Sequence, residues 1–503
     1  MEYNINETKT DLKTIDGDNR MPNDGNKVTY EIEKVPVKRR IGLYSAITFI
    51  VGVVIGSGIF ISPKGALANS GSVGLCLVIW AFTGVLAIIT ALVFAELGVI
   101  LPKSGGDYSI IKSGIGDIPA FLSIWTYTVF GSPAGKAVQM LVFADYVCAP
   151  IFSSCGTPYV IRKTIAALTL LLLAVTNTIS VRLVASIQGL FTALKVGALL
   201  IIIFGGFTYL VKDGTSNFDD SFEGSTDSVQ SITLAIYKCM WAYSGYTALN
   251  DFAEELQDPK KNIPRAIIIS LTFVTGIYLI TNVSYFTLLS KEEFLSSSAV
   301  AYAWASKALG PAAIIIPIGV MMSVYGASNG GFFSSIRISF AAARAGHLPE
   351  VLSFLHVRTK IPIASIILNT TLGIVLLIPS DIAQLINLTS FLGFLTQGFV
   401  TIALLRLRYQ RRAMERKEGE FRLPIVIPLL SLAICMFMFI SPLVSNPKIE
   451  FLYGLGFIFS GLIFYIPFVY LGWKLPGCDT ITTFAQLCCE ICPTLGEDEL
   501  DLN

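Results

Sequence analysis

Apolar runs of about twenty residues recur from Ile41 to Trp473, separated by short polar connections. A run of that length crosses the roughly 30 Å hydrocarbon core of a bilayer as one helix. Only 14% of the 503 residues are charged and 53% are hydrophobic, against about 25% charged in soluble proteins. With a mean hydropathy of +0.67, a water-soluble globule is excluded and an all-α polytopic membrane protein is expected. Twelve transmembrane helices are expected, beginning near Ile41, Val73, Ile118, Ile161, Ala185, Ser231, Ile263, Ala312, Pro362, Ile382, Leu423 and Phe451. Residues 1–40 read as a cytoplasmic N-terminal tail, 41–473 as the twelve-helix core and 474–503 as a cytoplasmic C-terminal tail. The N-terminal tail has no apolar core of a signal peptide, so the first span is expected to direct insertion itself.

Thirty-six Lys and Arg against thirty-five Asp and Glu leave a formal charge of +1, which offers no field to gather nucleic acid. The placement of charge is informative instead. Basic residues cluster before span 1 (Lys38, Arg39, Arg40), between spans 6 and 7 (Lys260, Lys261, Arg265), between 8 and 9 (Arg344, Arg358, Lys360) and after span 10 (Arg406 to Lys417). The connection after span 5 is acidic, with Asp219, Asp220, Glu223 and Asp227. By the positive-inside rule both termini are cytoplasmic.

Cys76, Cys239 and Cys435 read as small buried apolar residues. Cys148 and Cys155 fall at or beside the external loop between spans 3 and 4, where a disulfide is chemically permitted. They either close locally, against which Pro150 and a helical Cys148 argue, or leave Cys155 to pair with another chain. Cys489 and Cys492 have a zinc-like spacing without further well-spaced ligands, so no metal is expected; membrane-surface packing is the better reading of the tail from Thr482 to Leu495. The sequons at Asn282, Asn369 and Asn387 fall inside spans and that at Asn6 is cytosolic. A surface protein without a glycan of its own points to a glycosylated partner.

Span 1 carries Gly52, Gly56 and Gly58 at its middle, where each costs about 1 kcal/mol relative to Ala. Close helix packing explains such a cluster; so does unwinding that frees backbone amides to hold a carboxylate. Span 6 favours the second explanation. Trp241-Ala242-Tyr243-Ser244-Gly245-Tyr246 again puts small residues at a midpoint, about five spans later, the layout of an inverted-repeat transporter with a midplane site.

With these stretches in view, the chain resembles the light subunits of the heteromeric amino acid transporters, in the amino acid/polyamine/organocation superfamily. The resemblance runs from Val37 to the C-terminal tail and is carried by Gly56-Ser57-Gly58-Ile59-Phe60-Ile61-Ser62-Pro63-Lys64-Gly65, Ala95-Glu96-Leu97-Gly98, Lys103-Ser104-Gly105-Gly106, Asn217-Phe218 with Ser221-Phe222, Glu254-Glu255-Leu256 and Gly346-His347-Leu348-Pro349. It implies a LeuT-type 5+5 inverted repeat with broken helices 1 and 6. It further implies amino acid exchange and a disulfide from Cys155 to a single-span type II glycoprotein heavy chain at the plasma membrane. No cofactor is implied.

The physics of the substrate fits the same residues. An amino acid zwitterion needs donors for its carboxylate and acceptors for its ammonium, because burying either unpaired costs several kcal/mol, on the order of a lost ion pair. Amides of Ile55, Gly56, Ser57 and Gly58 suit the first; carbonyls around Trp241, Ala242, Tyr243 and Ser244 suit the second. The resemblance makes Trp241 a lid over the substrate, where an ordinary core tryptophan is the alternative. Lys195, inside span 5, is a functional candidate as an intramembrane charge or a lysine that snorkels; in relatives the matching lysine takes the place of a sodium ion, implying sodium-independent transport. Glu96 reads as structural.

Selectivity is expected from charges lining the pocket. Ser132 stands where the cystine/glutamate exchanger has a basic residue and Ser244 where the dibasic exchanger has an acidic one. Both being neutral, a broad pocket for neutral amino acids is expected, with cationic ones left open. Lys136, one turn beyond Ser132, either shares that face or meets lipid or the heavy chain. Tyr246, Ala253 and Asp251 depart from the pattern of relatives. The alternative function is an amino acid-sensing receptor without net transport; an enzyme is not expected, since His347 and His356 sit in a cytoplasmic loop without a nucleophile or metal constellation.

Overall fold

The computed structural model describes residues 42–101, 106–152, 157–179, 181–213, 216–247, 256–379, 381–410, 421–444, 448–473 and 478–493. A helix lies at every place where a span is expected. The first is split into α1 (Leu43–Val54) and α2 (Gly58–Ser70), bent by 54°. Then come α3 (Val73–Ile100), α4 (Gly106–Gly114), α5 (Asp117–Thr126), α6 (Ser132–Cys148), α7 (Tyr159–Ile179), α8 (Val181–Asp213) and α9 (Val229–Tyr243). The remainder are α10 (Pro259–Leu288), α11 (Lys291–Ser296), α12 (Val300–Leu309), α13 (Ile315–Arg344), α14 (Ile363–Leu377), α15 (Ile382–Gln410), α16 (Val426–Val444), α17 (Ile449–Phe464) and α18 (Cys478–Cys489).

Among the described residues eight helices are long and apolar enough to cross a membrane, or nine with the bent α1–α2 pair. α14 is a shorter apolar helix. The other two expected places fall short for visible reasons. α5 and α6 are joined by a π-turn, Tyr127–Gly131, and α6 carries Lys136 and Asp145; α9 has 15 residues and carries Lys238. The chain is thus a multi-pass membrane protein, and its surface agrees: Phe204, Phe207, Phe437, Leu452 and Ile463 point outward.

Helix ends follow local chemistry. Ser72 caps α3 by accepting from the Leu75 amide at 3.3 Å, and Ser290 with Glu293 forms a reciprocal capping box on α11. Gly71 ends α2 at φ +79°, where a Cβ would lie 2.3 Å from the Gly224 carbonyl oxygen, so only glycine closes that turn. The interior is built as two packed groups. α1, α2, α3, α9 and α10 enclose one core; α6, α7, α13 and α14 enclose the other.

Asn282, Asn369 and Asn387 are buried in α10, α14 and α15. Cys76, Cys148, Cys239 and Cys435 are buried free thiols. Cys155 lies outside the described residues. After the spans, α18 is followed by a short strand β2 (Ile491–Cys492), which pairs antiparallel with β1 (Leu355–His356) in the α13–α14 connection.

Candidate functional site

The break in the first span begins where Val54 ends α1. The Ile55 amide still reaches Val51 O at 2.9 Å, but the Gly56 amide closes a tight turn on Val54 O at 2.7 Å and the helix restarts only at Gly58. The leading amides of a helix have no intrahelical partner. Ser57 and Gly58 are buried, and among the described residues their amides meet no acceptor. Buried, unspent N–H groups at a helix N-terminus form an anion site.

The α9 end faces this turn. Tyr243 is the last helical residue; Ser244 is extended at ψ 152° and Gly245 takes φ +105°. A side chain at Gly245 would also press on Val53, its Cβ 2.8 Å from Val53 Cγ1. Gly58 is tighter still, with a Cβ there falling 2.3 Å from Ala242 Cα. The glycines are therefore what lets the break in the first span touch the end of α9. Tyr278 of α10 joins them: its hydroxyl lies 2.9 Å from both Val54 O and Ala242 O, one donor shared between carbonyls at the ends of α1 and α9.

Charges and hydroxyls brace the break from behind. Lys195 of α8, 3% exposed, donates its ammonium to the Gly52 carbonyl. Ser323 of α13 donates to Gly56 O at 3.2 Å, and Ala327 Cβ would stand 3.2 Å from a Cβ on Gly56. Glu96 is spent elsewhere: Arg408 of α15 grips it bidentately, with Nε 2.7 Å from Oε1, while the Leu423 amide donates to Oε2 at 2.9 Å. Both side chains are buried, and a fully hydrogen-bonded buried pair of this kind is structural.

Ile55, Gly56, Ser57, Gly58 and Ala242 are thus brought together. Trp241 is half-buried, with its indole edge 3.6 Å from where a Gly135 Cβ would stand. Ser244 is exposed, its hydroxyl turned back onto Trp241 O at 2.7 Å. Tyr243 points away into the core, donating to Trp80 O at 3.2 Å within a Trp80–Tyr243–Tyr278 cluster; only its backbone remains for a ligand. Ser132 accepts from Asn369 of α14 at 2.8 Å, and no hydrogen bond joins it to the broken helices among the described residues. Asp251, Ala253, Glu254 and Glu255 lie outside the described residues.

A cavity of about 170 Å³ lies toward α4 and α5, lined by Phe94, Asp107, Tyr108, Tyr127, Thr247, Ser334 and Ile338 among others. Sequence reading missed Tyr278, Ser323 and Arg408. A tyrosine or serine at mid-span whose polar atom has no water to face is the signal that points to the first two. Arg408 was hidden because it lies within a run of basic residues, beginning at Arg406, that reads as a loop.

Residues 41–471 match the amino acid permease family model. The chain is similar to the b(0,+)-type amino acid transporter 1 of Homo sapiens, 41% identical over 471 residues covering 93% of this chain and 96% of that protein. It is similar to the Homo sapiens cystine/glutamate transporter, 40% identical over 487 residues and 96% of each. The Homo sapiens large neutral amino acids transporter small subunit 2 is 38% identical over 465 residues, covering 91% of this chain and 86% of that protein. A family match over most of the chain, joined to relatives aligned along nearly their whole length, shows that the chain belongs to the amino acid permease family.

Proposed function

We propose that the protein is a sodium-independent amino acid exchanger working by alternating access in a twelve-helix, LeuT-type 5+5 arrangement. The observation that carries this reading is the pair of buried amides at Ser57 and Gly58, without an acceptor among the described residues and opposite the end of α9. They suit the α-carboxylate, with Ile55 and Gly56 shaping the turn and the Ser57 hydroxyl beside them. The carbonyl of Ala242 accepts one protein bond, from Tyr278, and keeps a second lone pair for the substrate ammonium, whereas that of Trp241 already accepts from both the amide and the hydroxyl of Ser244. Tyr243 and Ser244 add backbone acceptors at the same turn, and the Trp241 indole is the lid.

Lys195 supports sodium independence because its ammonium already sits on the Gly52 carbonyl beside the break, a place where a cation would otherwise neutralise freed carbonyls. Named relatives include the small subunit of a large neutral amino acids transporter, which supports a heavy-chain partner for this chain, a single-span type II glycoprotein joined through Cys155. Basic connections support cytoplasmic termini, and residence in the plasma membrane is part of the same proposal for that complex.

Counterflow of labelled amino acids in proteoliposomes tests the reading. Uptake is expected only into vesicles preloaded with unlabelled amino acid, at equal rates in sodium and choline buffers. Binding without counterflow, or a requirement for sodium, contradicts it.

A further inference from the structure

We propose that Lys136 selects the substrate side chain, favouring amino acids that carry a second carboxylate and disfavouring cationic ones. This rests on the exchanger reading above and names the substrate class of the same site.

The ammonium is placed by its neighbours. Lys136 lies on α6, 7% exposed, and no carboxylate among the described residues lies within ion-pair distance. The residue before it, Gly135, meets the Trp241 indole. Its Nζ reaches α13 at Gly331, where a Cβ would lie 2.6 Å away. Along α13, Ser323 and Ala327 touch the Gly56 turn, Gly331 meets the ammonium one turn further, and Ser334 and Ile338 line the cavity after that. These positions, three to four residues apart, lie on one helix face. α6 follows the same order in reverse, since Tyr127, just before it, also lines the cavity. Lys136 therefore stands between the carboxylate site and the cavity, where an amino acid held by Ser57 and Gly58 would extend its side chain or leave.

Its surroundings distinguish it from the other buried lysines of this region. Lys195 and Lys238 each spend their ammonium on a backbone carbonyl, Gly52 O for the first and Ala383 O at 2.5 Å for the second. Lys136 makes no such bond among the described residues. A buried cation without a counter-charge is stabilised by any anion that reaches it, so a substrate carboxylate gains there what a neutral side chain does not, and a substrate ammonium is repelled.

The test uses the full chain with its heavy chain in proteoliposomes, with labelled leucine and labelled glutamate measured side by side. In the wild type, unlabelled glutamate should inhibit leucine counterflow at least tenfold better than lysine does. Equal inhibition by the two, or inhibition by lysine alone, overturns the proposal without any variant. Lys136→Gln should lower the glutamate-to-leucine rate ratio at least tenfold and Lys136→Arg should restore most of it. Gly331→Ala gives a second route: its methyl displaces only the flexible end of Lys136, so the ratio should fall in the same direction in a chain that keeps the lysine. An unchanged ratio in both Lys136→Gln and Gly331→Ala overturns the proposal. Absence of counterflow for every amino acid in the wild type would instead be a failure of the exchanger reading.

Discussion

The turn at Gly56 to Gly58 and the Glu96–Arg408 clasp are both polar, both buried and both held by residues from distant parts of the chain. They differ in what is left over. At the clasp the opposite charges are spent on each other: the carboxylate takes two guanidinium bonds and the Leu423 amide, and Arg408 also donates to Leu423 O at 3.0 Å. At the turn two buried amides are left without an acceptor among the described residues. Completed polar networks hold a membrane protein together, and incomplete ones mark where a ligand completes them.

The clasp is the place where that contrast is broken most severely. Arg408→Leu leaves Glu96 as an uncompensated buried charge, expected to cost about 3 to 5 kcal/mol; the yield of folded protein in detergent should collapse. Glu96→Gln combined with Arg408→Leu should recover a large part of it. Equal loss in the single and double variants would mean that shape, not charge, makes the clasp.

At the turn the expected damage is to function first. Gly58→Ala sets a methyl against the Ala242 backbone, which cannot rotate aside as a side-chain end does. Exchange should be lost, at least a hundredfold, because the two interruptions must separate. Retained exchange would show that Gly58 and Ala242 do not meet during transport.

A smaller effect is expected from Tyr278→Phe. It removes the hydroxyl shared by Val54 and Ala242 and keeps the ring packed on Trp80, so about 1 kcal/mol is at stake and the exchange rate should change several-fold with little loss of yield. A loss of yield as great as that of Arg408→Leu would place Tyr278 with the clasp.

The smallest effect concerns His347 in the α13–α14 connection, beside Asp117 at 3.4 Å. Burial, assisted by the nearby Lys112, holds its imidazole below the ordinary histidine value. The unfolded chain therefore binds the proton more readily, and stability should be full above the ordinary value and fall modestly as pH drops through it. Melting temperature measured from pH 8 to 5.5 should show this decline, and His347→Gln should flatten it.

These contrasts also show how far residue patterns reach. Glycines at mid-span are costly enough to announce a break, so Gly56, Gly58 and Gly245 were legible, as was Lys195, a lysine that lipid would not tolerate without reason. Helix locations followed from run length. Partners did not: Arg408 and Glu96 are 312 residues apart, and nothing local in the arginine distinguishes it from its basic neighbours. Tyr278 and Ser323 were hidden for the same reason, since their acceptors are carbonyls freed by a break in another helix. Ser132 shows the converse, expected at the pocket by position while its side chain bonds Asn369; Tyr243 was expected there through its carbonyl, and its side chain bonds Trp80.

The central claim is that the amides of Ser57 and Gly58 hold the substrate carboxylate, and removing that carboxylate's charge tests it without altering the protein. Leucine, leucine amide and leucinol differ there and share the rest. Competition against labelled leucine counterflow should show inhibition by leucine and a loss of at least a hundredfold in potency for the amide and the alcohol, the scale of a charge-assisted pair left unmade. Inhibition by leucine amide within about threefold of leucine, less than the cost of one neutral hydrogen bond, would contradict the claim.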